Sequence, residues 1–156
     1  MADAIYYHTK ASGTGTSIKF FNTNEGASGE VVTNLPTTNQ LNRNFTLHKL
    51  KIRFSQDLVQ ADALKLSEGA IVKLIVNKDE VIKMPLIDCV SNTRIEAAMT
   101  ENAGDLWQLF KPAQDGYEFK EPVTIPANTF FEVEIVLESG LGTDTDVTCT
   151  LEGTER

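Results

Sequence analysis

Apolar and polar side chains alternate along much of this chain. The pattern is strongest in Thr124–Leu137, where Phe131, Val133, Ile135 and Leu137 fall on one side of an extended backbone and Glu132 and Glu134 on the other. Val147, Cys149 and Leu151 repeat it against Thr148, Thr150 and Glu152. A period of two with one apolar face predicts strands that cover a core. In the first half the clearest strand is Phe45–Phe54, where Leu50, Ile52 and Phe54 alternate with Lys49, Lys51 and Arg53. Residues 71–76 and 81–86 flank Asn77-Lys78-Asp79-Glu80, a predicted hairpin with a four-residue connection. Pro85 ends that ladder or places it at a sheet edge. Shorter strand candidates are 3–8, 17–21, 30–33, 87–90, 106–110 and 117–119, with 122–126 leading into the strand that ends at Leu137.

Helical signal is sparse. Residues 56–68 fit one short amphipathic helix stopped by Gly69, and 92–102 reads as helical or irregular. Residues 11–16 are rich in Gly, Ser and Thr and read as a mobile link. Residues 22–29 are rich in turn formers, 34–42 carry Pro36 and form an extended loop, and 140–146 make the last turn. Eight to ten strands with at most two helical turns, no internal repeat and no dividing linker indicate an all-β sandwich, barrel or jelly roll.

With 156 residues, 41% of them hydrophobic, the chain can fill one core without a disulfide or metal staple. A net charge of -8 argues against a surface that grips nucleic-acid phosphates. Cys89 and Cys149 are too few for a disulfide scaffold, and each reads as a small buried hydrophobe, with a bridge as the other option. The opening residues Met-Ala-Asp-Ala-Ile-Tyr-Tyr show neither a basic region nor an apolar run, so no signal peptide is expected. No window approaches the roughly 18 apolar residues of a membrane helix.

The inventory for chemistry is thin. His8 and His48 are far apart and neither has a partner motif for acid–base work. No His-x-His pair or zinc-like cysteine spacing is present. Asp144-Thr145-Asp146 resembles half of a calcium loop but lacks the later ligands, so a turn is the simpler account and ion binding stays open. Gly13-Thr14-Gly15 lacks the Lys and Ser/Thr of a phosphate loop and reads as a hinge. Glu132 and Glu134 share a strand face at a spacing of roughly 7 Å, which a glycosidase would need but which solvent-facing carboxylates also give. Lys49, Lys51 and Arg53 offer a basic face, or simply a solvated one. Trp107, Tyr6, Tyr7 and Tyr117 are the aromatics available to stack a sugar. No catalytic, cofactor or metal site is assigned, and no cofactor is expected.

The order of pieces carries a resemblance. A loop, Asn34-Leu35-Pro36-Thr37-Thr38-Asn39-Gln40-Leu41, leads to a long strand ending Lys49-Leu50-Lys51-Ile52-Arg53-Phe54. A hairpin ends in Met84-Pro85-Leu86. Val123-Thr124-Ile125-Pro126-Ala127-Asn128, then residues 130–137, precede the closing Cys149-Thr150-Leu151-Glu152-Gly153-Thr154-Glu155-Arg156. Over residues 31–156 this resembles the small single-jelly-roll capsid proteins of tailless icosahedral bacteriophages, particularly those with an internal membrane. The resemblance implies a single jelly-roll domain over 17–156, preceded by a flexible N-terminal arm over 1–16 that contacts neighbours. It implies a non-enzymatic virion protein, made in the host cytoplasm, whose partners are copies of itself and a second capsid protein. No direct nucleic-acid binding is expected. The alternative reading is a carbohydrate- or receptor-binding β-sandwich of the spike or lectin kind.

Overall fold

The computed structural model describes residues 2–55, 57–91 and 115–156. Among them are eight strands: β1 (Ala2–Ala11), β2 (Ser17–Phe20), β3 (Phe45–Phe54), β4 (Ala70–Val76), β5 (Asp79–Pro85), β6 (Tyr117–Ile125), β7 (Phe131–Leu137) and β8 (Asp146–Glu155). Two helices, α1 (Glu25–Ser28) and α2 (Gln60–Glu68), and a 3-10 turn at Leu86–Asp88 complete the elements. None of the described helices is long and apolar enough to cross a membrane.

The pairing is that of one long hairpin rolled up. β1 pairs with β8, β2 with β7, β3 with β6 and β4 with β5, all antiparallel. Rolling then zips β8 onto β3 and β7 onto β4. Two four-stranded sheets result, of order β1-β8-β3-β6 and β2-β7-β4-β5. This is the eight-stranded jelly roll.

Alternation explains what lies between the sheets. Phe131, Val133 and Ile135 of β7, Val72 and Leu74 of β4, and Val147, Cys149 and Leu151 of β8 are all fully buried. In β3 the buried positions change parity, from Phe45 and Leu47 to Leu50, Ile52 and Phe54. A β-bulge makes this possible. Leu47 lies opposite Gly153 and Lys49 opposite Glu152, so His48 is an extra residue that restores the phase. Close approach at the same place demands glycine on β8. A Cβ on Gly153 would stand 1.9 Å from Thr46 O and 2.9 Å from the Phe45 ring.

Several expectations change. Residues 2–11, expected within a flexible arm over 1–16 that held a short strand at 3–8, form one longer strand, β1, paired with β8 along its whole length. The physical reason is that Ala4, Tyr6 and His8 turn inward and pack on the core, which the polar tone of the segment conceals. The hairpin connection is two residues, Asn77-Lys78, with φ of 50° and 72°, and pairing resumes at Asp79. Positive φ at both positions is the twist-matched turn, and Asn tolerates it. Residues 30–33 form turns and one bridge rather than a strand, and 87–90 begin as the 3-10 turn. β6 runs on through Pro122 to Ile125. The helix expected over 56–68 is α2, with Gly69 as its C-cap. The candidate segments 92–102 and 106–110, and Trp107, lie outside the described residues.

Val133→Asp places an unpaired carboxylate between the sheets and is expected to cost about 4 kcal/mol in urea denaturation. Gly153→Ala, a change of one methyl, is expected to cost about 2 kcal/mol because backbone must move to admit it.

Candidate functional site

The outer face of the first sheet carries the basic residues singled out in the sequence. Lys49 and Lys51 both project from β3, and both are matched by acid. Lys49 Nζ lies 3.0 Å from Asp115, and Lys51 Nζ lies 3.4 Å from Asp115 and 2.7 Å from Glu152 of β8. Lys49 and Ser91 hydroxyl hydrogen bonds, with the Lys51 charge, hold the Asp115 carboxyl below the usual carboxylate range against its partial burial. The face is therefore a neutralised network rather than a patch for acid. Ser91 and Asp115 also form a β-bridge, so residues 91 and 115 are pinned side by side next to β3.

Beside this network and next to the bulge is an open hollow of about 380 Å³, lined by Asp3, Ile5, His48, Lys49, Glu118 and Glu152 among others. His48 is half-buried at its rim, and Ile5 is 54% exposed. The carboxylates Glu132 and Glu134 stand apart, on the outer face of the second sheet. Glu134 accepts from the Ser17 hydroxyl at 2.5 Å and lies between Lys19 and Lys73 in the ladder. Burial raises the Glu132 carboxyl, with Lys19 and Lys10 opposing.

One end of the sandwich is tied by carboxylates aimed at backbone N–H groups. Asp62 of α2 is 2% exposed and accepts from Gly142 N–H (2.8 Å) and Thr143 N–H (3.0 Å). Asp144 accepts from Gly13 N–H at 2.8 Å and from the Ser12 hydroxyl at 3.3 Å. Ser12 also pairs with Thr145 through both backbone and side chain. Asp144-Thr145-Asp146 is thus a turn that locks residues 12–13, and Asp146 opens β8. Among the described residues, no three of His, Cys, Asp and Glu gather as metal ligands would.

The remaining candidates are engaged in packing. The Tyr6 hydroxyl donates to Glu155 at 2.6 Å while its ring meets Phe45 edge-on; burial and this bond push the phenol up. Tyr7 donates to Glu30 O, and Tyr117 packs on Phe119. Cys89 and Cys149 are both free and buried. Burial pushes the Cys89 thiol up to about 12 and raises Cys149 as well, so both stay protonated and unreactive. His8 is buried against Phe20 and Phe21.

Comparison with family models, with curated proteins and with solved structures returns no match.

Two residues of consequence were not singled out by the sequence. Asp62 lies within the amphipathic segment 56–68, and an acid on the apolar side of a short helix is a signal of a buried anchor. Asn34 lies in the loop predicted over 34–42. Its carboxamide accepts from Tyr7 N–H (2.9 Å) and donates to Ile5 O (2.7 Å), standing in for a peptide unit on the free edge of β1. The other edges are blunted differently. β2 is four residues long. β5 carries Lys83, Pro85 and a register break near Val81. β6 carries Lys120, Glu121 and Pro122 at its own break. These are the devices by which sheets avoid pairing edge to edge.

Asp62→Ala leaves two backbone N–H groups without their acceptor and is expected to cost about 2–3 kcal/mol in chemical denaturation. Asn34→Ala is expected to cost about 1 kcal/mol and to speed hydrogen exchange at the Tyr7 amide.

Proposed function

We propose that this chain is a viral structural protein, a bacteriophage capsid subunit that assembles by repeated contacts with copies of itself and with a second capsid protein in the virion. The observation that carries the reading is the strand order β1-β8-β3-β6 over β2-β7-β4-β5 around an interior filled by side chains. Jelly rolls serve viral shells, lectins and cupins. Cupin and lectin chemistry needs a lined cavity or an aromatic platform. In this chain the space between the sheets is occupied by Phe, Leu, Ile and Val, and the described tyrosines are tied into the sandwich.

The blunted edges add a second support. A subunit present in many copies at high local concentration must not polymerise through its strand edges. Its contacts then fall to sheet faces and loops, where charge networks such as Lys49–Asp115–Lys51–Glu152 set geometry more than they add affinity. Closed symmetry multiplies such contacts into a stable shell.

Concentrated protein is expected to show discrete oligomers or closed particles by sedimentation velocity and negative-stain microscopy, with salt shifting the distribution. A chain that stays monomeric at every concentration, alone and mixed with other virion proteins, and that binds one glycan selectively on an array, would replace this reading by the lectin one.

A further inference from the structure

The corner where β1 passes β2 holds a buried titratable group that the assembly reading does not use. His8 is 2% exposed, opposite Cys149 of β8. Its Nδ1 accepts the Phe21 N–H at 2.7 Å, which places the ring proton on Nε2. Phe21 itself has φ of 68°, a left-handed conformation that a bulky residue keeps only when held. Three contacts hold it. His8 takes its amide, Asn39 N–H donates to its carbonyl at 2.9 Å, and its ring packs on Phe131 with centroids 5.4 Å apart. From Phe21 the chain leaves for the long loop whose Thr33 bridges back to His8.

We propose that the His8–Phe21 contact is an acid-sensitive latch: a proton added to Nδ1 removes the acceptor of the Phe21 amide, puts a cation among Phe20 and Phe21, and frees the Phe21 corner and its loop from β1. The charged surroundings make the protonated ring costly while the latch is closed. Lys10 on the same strand, whose ammonium donates to Lys19 O on β2, disfavours the cation. Glu132 on β7 faces Lys10 and Lys19. Cys149 across the ladder stays a neutral thiol. Burial first, then Lys10, lowers the imidazole from 6.5 to about 4. The neutral ring's contribution to stability is complete above 6.5 and is lost as pH falls through about 4, because the unfolded chain takes up the proton first.

The test compares the wild-type chain with His8→Gln, whose side-chain oxygen can accept the Phe21 amide without titrating. Urea denaturation at about pH 7 and about pH 4.5 is expected to show the wild type losing tens-fold more of its folding constant than the variant. The protection factor of the Phe21 amide, its exchange rate relative to the intrinsic rate at the same pH, should fall in the wild type alone. Equal losses in the two proteins would overturn the latch. If His8→Gln does not fold, nitrogen-15 NMR of the wild type decides. Protonation of His8 Nδ1 coinciding with loss of Phe21 amide protection supports the proposal, and protonation with the amide still protected defeats it.

Discussion

Two pleated sheets share one dry interior only while every strand keeps its apolar positions turned toward it, and this matching of phase holds the sandwich together. A slip of one residue would expose an entire apolar row. β4, β7 and β8 keep the phase by strict alternation. β3 cannot, because its apolar residues change parity halfway. The bulge at His48 absorbs the mismatch, and Gly153 on the neighbouring strand lets the backbones approach where the bulge distorts the ladder. The hollow on the outer face is lined by His48 and Gly153, the residues at this bulge.

That phase was legible in the sequence wherever it was regular. The face of Phe131, Val133, Ile135 and Leu137 and the face of Val147, Cys149 and Leu151 are where the alternation places them. β1 was legible only as a short strand at 3–8, and its full length and its pairing with β8 were not. Ala-Asp-Ala-Ile-Tyr-Tyr-His alternates weakly, and its inward residues include a tyrosine and a histidine, whose partners, Glu155, Phe45, Phe20 and Phe21 among them, come from elsewhere in the chain. The two-residue turn at Asn77-Lys78 was hidden because Asp79 and Glu80 look like turn residues yet lie in β5 on an exposed edge, where polarity carries no strand signal.

The polar contacts were the least legible. Lys49 and Lys51 looked like a basic face because Asp115 and Glu152, which neutralise them, come from distant parts of the chain. Asn34 and Asp62 act through side-chain atoms that substitute for, or bind, backbone groups of other elements. Such roles depend on tertiary placement, which local pattern does not encode. The same limit applies to function, since strand order is shared by shells, lectins and enzymes and a site must argue the rest.

β8 lies between β1 and β3, although it is the last of the strands in the chain. Tyr6 and Glu155, which touch through a hydrogen bond, are 149 residues apart. The first sheet therefore closes only after a very large loop has been brought together, an entropic toll that makes high-contact-order β-proteins slow to fold. During synthesis β1 and β3 emerge long before β8, the strand that joins them. Guarded edges matter most in a chain built this way, during the interval before that strand arrives.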